Sequence, residues 1–506
     1  MAIKSVGTRK VIDSSSASIS YAFETGPGVL ATPVEWKGIR TITQGEFGPA
    51  LERYTTEEIS PTRQNQLGDV VGLSAAANFD FVFRQRNAED FLEGIFFESI
   101  YRYGYLTGDK IASVSTTAVT AKSGTSPIDL GFVIPTGFTL LVEMKGFSNA
   151  ANNGRKTITA TSATALTTTG LVAEATPPDA ATVEVVGFKQ TGTTAALTYN
   201  SGVSKLTGID LTKTKLRKGS WIYIGGEDDA TKLNAAGARL GGVARVGAIE
   251  TTGVTLDITS FNAAAATTAA GFEVYLPTRG FRNGTGSDAF YFQFERQLGI
   301  HPVTKQAQAE YVEGCIANTM SIMIPTREVV KSSMSFVAVD SKTKKDGLKP
   351  GVRPVYRRVR DYNTSSALKH MNLYRHDTNS TKTRLFSYLS DLTLEINNNV
   401  TAIPAIGIVG AYDVSAGNFM VTGSLTAGFN DTDAIDSVRN NSDMGLYVAG
   451  QRANEGFVLD VPLMRLGTAG VNVSQGEPLT LAIDSEAGEN DEGYTVLMDF
   501  FDYLPE

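Results

Sequence analysis

Between Leu73 and Phe83, the residues Ala75, Ala77, Phe79, Phe81 and Phe83 occupy alternate positions, with Ser74, Ala76, Asn78 and Asp80 between them. Side chains of an extended strand point to opposite faces in turn, whereas a helix would spread these positions around its axis. The run therefore specifies a strand with an aromatic face on a core and a small, polar face turned away from it. Similar strand-like runs recur at Trp36–Thr43, Phe290–Arg296, Glu310–Met323, Lys331–Val339, Leu392–Ile396, Phe419–Phe429, Phe457–Leu466 and Leu479–Asp484, with Gly, Asn and Asp turns between them. A mostly β fold is expected.

The chain has 506 residues, and single cores stop growing near roughly 250–300 residues, so several domains are expected. Residues 1–33 are Ser- and Gly-rich and read as an N-terminal arm. Residues 34–108 and 285–345 are aromatic-rich and read as one domain, interrupted by a Thr-, Ala- and Gly-rich insertion at 110–283. The insertion reads as two small β-barrel or sandwich submodules, about 110–192 and 200–280. Residues 346–383, with Arg353, Arg357, Arg358 and Arg360, read as a basic linker or arm. Residues 384–506 form a last β domain. Two short helices are expected: Asn87–Phe97, with Asn87 as N-cap, and Asp431–Val438. Each follows a long strand, and Phe419–Phe429 parallels Val71–Phe81, which suggests a duplication. From Gln44 to Val70 the chain is polar and without a core pattern, and loops of such length are usually functional or disordered.

Composition excludes several classes. A net charge of −8 argues against a protein that holds nucleic acid through phosphate neutralisation. The three histidines, His301, His370 and His376, have no metal-ligand spacing, and His370 and His376 are expected at the surface. The single cysteine, Cys315, rules out an intrachain disulfide and reads as a buried, inert thiol. Gly225–Asp229 lacks the alternating oxygen ligands of a calcium loop. No phosphate loop and no nucleophile elbow occur, so neither enzymatic activity nor a cofactor is expected. No apolar run reaches about 18 residues, so no membrane insertion is expected, and the N-terminus lacks a signal-peptide core, pointing to synthesis in the cytoplasm.

The segment Ala50–Gln66 lies between two strands and precedes the helix at Glu89–Glu93. It resembles the loop of serine or threonine, glutamate, arginine and glutamine in a family of siphophage tail tube proteins. Phe294-Glu295-Arg296-Gln297-Leu298 with Tyr311–Ser321, and Asn152-Asn153-Gly154-Arg155-Lys156 with Glu174-Ala175, are similar to further landmarks of that family. One departure is Glu58-Ile59-Ser60-Pro61-Thr62-Arg63, where an acidic residue beside the arginine would be expected.

The resemblance implies two tail-tube-type β-sandwich domains, each with a flanking helix. Each domain would give about four strands to the wall of a ring, and rings would stack into a tube. Homotrimeric rings with pseudo-sixfold symmetry are favoured by the duplication, with a homohexamer as the alternative. About 24 strands spaced roughly 4.8 Å apart close into a barrel of roughly 45–50 Å diameter. The resemblance also implies a virion tail location, tape measure and tail terminator or tip proteins as partners, and DNA passing through the lumen without specific binding. Leu51, Glu52, Arg53, Tyr54, Thr55, Glu57, Glu58, Arg63 and Gln64 become candidates for an inter-ring loop. Ser74, Asn78, Asp80 and Glu395 become lumen-facing candidates. A rival reading is a receptor- or glycan-binding β-rich virion or adhesin protein, which would need exposed aromatics among Phe147, Phe188, Tyr199, Trp221, Tyr223, Phe261, Phe272 and Tyr275.

Overall fold

The alternating run folds as the strand Asp69–Val82, with Ala75, Ala77, Phe79 and Phe81 buried, and it lies within a wide antiparallel sheet. The computed structural model describes residues 17–505 apart from 56–66, 99–100, 103–104, 124–133, 135–136, 191–195, 201–202, 213, 228–232, 236–237, 262–265, 268–271, 285–288, 302, 354–360, 363, 377–381, 387–388, 430–431, 474 and 477.

The wall of the fold is built from β1 (Thr41–Tyr54), β2 (Asp69–Val82), β3 (Ala307–Ile324), β4 (Lys331–Ala338), β5 (Leu389–Asn397), β6 (Met420–Gly428), β7 (Glu455–Asn472) and β8 (Thr480–Ala487). Their pairings, all antiparallel, give the order β1-β2-β4-β3-β5-β6-β8-β7. The first four strands and the last four thus share one order, first-second-fourth-third. Two of their irregularities coincide as well, although β1 also slips between Gln44 and Phe47 and between Glu52 and Arg53, where β5 stays regular. β3 slips by one residue between Ala317 and Thr319, and β7 between Leu466 and Thr468. β1 slips between Thr41 and Thr43, and β5 between Leu389 and Asp391. Counting from these bulges matches Val421 with Ala75 and Leu425 with Phe79. The sequence alignment of Phe419–Phe429 with Val71–Phe81 is therefore two residues out of step, and it keeps the correct face because the strand period is two.

β3 and β7 are each 18 residues long, and both leave the wall at their N-terminal halves to build a second layer. There β3 pairs with Tyr291–Ile300 and Asp340–Lys344, and β7 with Met444–Arg452 and Leu497–Phe501. α1 (Gln85–Phe96) follows β2 and α2 (Asp433–Arg439) follows β6. α1 packs Ala88, Phe91, Leu92, Ile95 and Phe96 into one core that runs from Ile19 to Phe500 through both halves of the wall.

Around β7 the second layer is buried on both faces. Leu446, Val448, Phe457, Leu459, Met498 and Phe500 face the wall core. Tyr447, Ala449, Val458, Leu497 and Phe501 face another core, completed by Leu141, Val186, Trp221, Val243 and Tyr275 of the insertion. The insertion is thus a third layer, on the side away from the wall.

Several expectations need correction. The insertion is one unit, because Thr182–Gln190 pairs with Glu273–Tyr275 and a single apolar cluster spans Leu106 to Leu276; the edges of the two expected submodules satisfy each other. The expected arm contains the strand Ser18–Gly26, paired with Tyr291–Ile300 and burying Ile19 and Tyr21. Residues 1–16 of that arm lie outside the described residues. The basic segment contains the strand Leu368–His376, paired with Met444–Arg452. Its Arg353 is spent inside the chain, 2.6 Å from the buried carboxylate of Glu295, while Arg357, Arg358 and Arg360 lie outside the described residues. α1 starts at Gln85 with Arg84 as N-cap, not at Asn87. His370 and His376 are half-buried rather than superficial, and His376 Nε2 is 2.9 Å from the Pro462 carbonyl oxygen.

Candidate assembly interface

The wall ends on β1 at one side and on the C-terminal half of β7 at the other. Among the described residues, neither edge has a partner strand beyond its single neighbour. Open edges of this length are aggregation hazards unless they are bulged, charged, broken by Pro or covered. Apolar side chains nevertheless stand exposed there: Ile42, Leu51 and Tyr54 on β1, Val471 at the end of β7 and Val473 just after it.

The joint between the halves of the wall shows how such edges meet. β3 and β5 pair from Thr319↔Asn397 to Ile324↔Leu392. Met320, Ile322, Leu394 and Ile396 are buried at that joint, so backbone pairing and core continuity form together.

The wall face away from the core carries a polar row, strand by strand: Thr43, Asp80, Ser333, Ser321, Glu395, Thr422, Glu486 and Arg465. Asp80 accepts a hydrogen bond from Thr43 Oγ1, and Asp484, in the adjacent row, accepts one from Thr468 Oγ1 at 3.0 Å. Of the lumen-facing candidates, Asp80, Asn78, Ser74 and Glu395 all lie on this face; Ser74 and Glu395 are exposed, and Asn78 and Asp80 are half-buried.

The inter-ring candidates divide. Leu51, Glu52, Arg53 and Tyr54 belong to β1 and pair with Leu73, Gly72, Val70 and Asp69 of β2, so the expected loop Gln44–Val70 is largely a projecting hairpin. Residues 51–54 and 69–71 meet solvent on both faces, which removed the alternation that marks a strand. Thr55 is exposed just beyond β1, and Glu57, Glu58, Arg63 and Gln64 lie outside the described residues. Beside this hairpin, a second one, Thr401–Pro404 with Ala411–Ser415, exposes Ile406, Ile408, Val409 and Tyr412. The two meet where Leu73 N donates to the Val409 carbonyl at 2.8 Å.

Buried charges fix the insertion to the second layer. Arg245 lies 2.9 Å from Asp257 and 3.1 Å from Asp460, and donates to the Tyr374 hydroxyl at 2.8 Å. Trp221 donates from Nε1 to Asp460 at 3.0 Å and from its backbone to Asp499 at 2.8 Å. Where the insertion rejoins the second layer, Arg279 holds Glu89 of α1 and Asp502. Burial beside Asp502 pushes the Glu184 carboxyl well above the usual carboxylate range. Cys315 is buried, its thiol pushed up by desolvation. Of the eight insertion aromatics that a glycan platform would need, only Tyr199 is exposed; Trp221, Tyr275, Phe188 and Phe272 are core residues.

Reading by alternation missed the C-terminal end of β7. The expected strand Phe457–Leu466 continues to Asn472 through Gly467 and Gly470. The signal was present in Thr468 and Val471, but glycines imitate a turn.

A β-rich structural protein with two sheet edges unmatched among the described residues is the class that this architecture defines. A sequence model of the phage tail tube protein family matches residues 234–487, half of the chain. The protein belongs to that family and is a structural component of the virion tail. The matched stretch contains Phe294–Leu298 and Tyr311–Ser321, whereas Ala50–Gln66 and Asn152–Lys156 lie outside it. No curated protein matches the chain.

Proposed function

We propose that copies of this chain join edge to edge into closed rings, that rings stack into the tail tube, and that DNA leaves the virion through its lumen. The observation that carries this reading is the doubled strand order, which ends in two edges unpaired among the described residues. A chain that already joins two four-strand units in this way needs three copies to reach about 24 strands, enough for a barrel with room for a duplex. The polar row with Asp80, Glu395 and Glu486 would line the lumen and repel phosphate. The insertion, on the far side of the second layer, would then face outward. The hairpin tip would meet the next ring, and the tape measure protein would occupy the lumen before ejection.

Negative-stain electron microscopy of the purified protein at high concentration tests the assignment. Hollow tubes or stacked rings with three chains per ring are expected. Six chains per ring would overturn the three-copy ring of about 24 strands, and monomers at every concentration would overturn assembly by the chain alone.

A further inference from the structure

We infer that the seam between neighbouring copies repeats the seam inside the chain in register, so that Thr468–Val471 of one copy pairs with Phe47–Ala50 of the next. This rests on the ring reading above and adds the residues that carry it.

The coincident bulges in β3 and β7 set Thr319 equivalent to Thr468, Met320 to Ala469, Ser321 to Gly470 and Ile322 to Val471. The ladders to β2 and β6 set Asn397 equivalent to Ala50, Ile396 to Pro49, Glu395 to Gly48 and Leu394 to Phe47. The internal pairs Thr319↔Asn397, Met320↔Ile396, Ser321↔Glu395 and Ile322↔Leu394 then map onto Thr468–Ala50, Ala469–Pro49, Gly470–Gly48 and Val471–Phe47.

Three features agree with this register. All pairings within the wall are antiparallel, and an even number of strands leaves the two outer edges running in opposite directions, as a further antiparallel pair requires. The core-side pairs of the new seam, Ala469–Pro49 and Val471–Phe47, are apolar like Met320–Ile396 and Ile322–Leu394, and they would cover Val471. The lumen-side pairs are small, and Gly470 has no atom within 4 Å of where a Cβ would stand, leaving room for a neighbouring strand. Pro49 has no N–H, so its pair contributes a carbonyl alone. In the single chain Arg296 covers this end of β1, 4.5 Å from the Phe47 ring centre and donating to the Phe47 carbonyl, which shields the edge before a neighbour arrives.

Two double variants, Ala50→Cys with Thr468→Cys and Pro49→Cys with Ala469→Cys, sample both kinds of antiparallel pair. Cys315 is buried and gives no background. After mild oxidation of assembled protein, denaturing gels without reductant are expected to show covalent two- and three-chain species for at least one variant. A control with Ala50→Cys and Asn472→Cys, four residues out of register, should cross-link about tenfold less, because disulfides need Cβ atoms within roughly 4.5 Å. Rings seen by microscopy with no in-register cross-link, or with equal cross-linking in the control, would overturn the register and leave the ring reading standing. Absence of rings in the unsubstituted protein would overturn both.

Discussion

Arg245 shows what single residues contribute to this molecule. Its guanidinium is buried and shared between Asp257 of the insertion and Asp460 of β7, and Asp460 is itself inaccessible to solvent. Arg245→Met would strand a buried carboxylate, and the expected cost is about 3–5 kcal/mol in chemical denaturation. Changing both partners, Arg245→Met with Asp460→Leu, should recover most of that loss; an equal or larger loss would mean that the site depends on shape rather than charge. Glu24 makes a prediction about pH. Its carboxylate accepts from Gly28 N at 3.0 Å, Gly314 N at 2.9 Å and Gln293 Nε2 at 2.6 Å. Burial nevertheless pushes its pKa from 4.5 to about 7. The folded chain then holds this proton more tightly than the unfolded chain. The group's contribution to stability is therefore fully present below pH 4.5 and is lost as pH rises through about 7. Stability measured across that window should fall less steeply in Glu24→Gln than in the natural chain.

At the scale of elements, the hairpin of β1 and β2 offers a test that separates folding from the proposed assembly. Beyond Leu51 and Leu73 its described residues bury little. Replacing residues 52–72 by an Asn-Gly turn should change stability by less than about 1 kcal/mol. Ring stacking should be lost while rings persist, as read by sedimentation and microscopy; intact tubes would remove the hairpin from the inter-ring contact. The same hairpin explains what the sequence disclosed. Strands with one buried face, such as β2, β4 and β5, were legible to within a few residues because burial imposes a period of two. Met444–Arg452 was missed because both faces are buried, which leaves an apolar run without alternation. The expected strand Phe457–Leu466 stops six residues short of the end of β7. The expected strand Trp36–Thr43 splits into Lys37–Ile39, paired with Ser18–Gly26, and the start of β1. Both β1 and β7 are edge strands, where few side chains, such as Phe47 and Ala469, meet the core. Ser74, Asn78, Asp80 and Glu395 could be placed on the free face by alternation alone. The seam residues Phe47–Ala50 and Thr468–Val471 could not, since they emerge only from pairings between segments far apart in the chain.

The whole molecule is a stack: free wall face, wall core, second layer, insertion. Since the insertion occupies the side opposite the free face, the ring proposed above would have the polar row with Asp80, Glu395 and Glu486 inside. That orientation yields a test of passage without binding. Asp80→Lys, Glu395→Lys and Glu486→Lys together reverse three charges along one row, at positions outside the core, so the fold should persist. Tubes of the natural chain are expected to leave duplex DNA unbound. Tubes of the variant should bind linear duplex, with log affinity falling linearly in log salt by about 0.9 per phosphate neutralised. A covalently closed circle cannot thread a lumen, so the variant should retain linear DNA and not circles of the same length. Equal binding of circles would place the row on the outside of the tube and reverse the orientation. No binding of either form would mean that repulsion by these carboxylates is not what keeps the passage free.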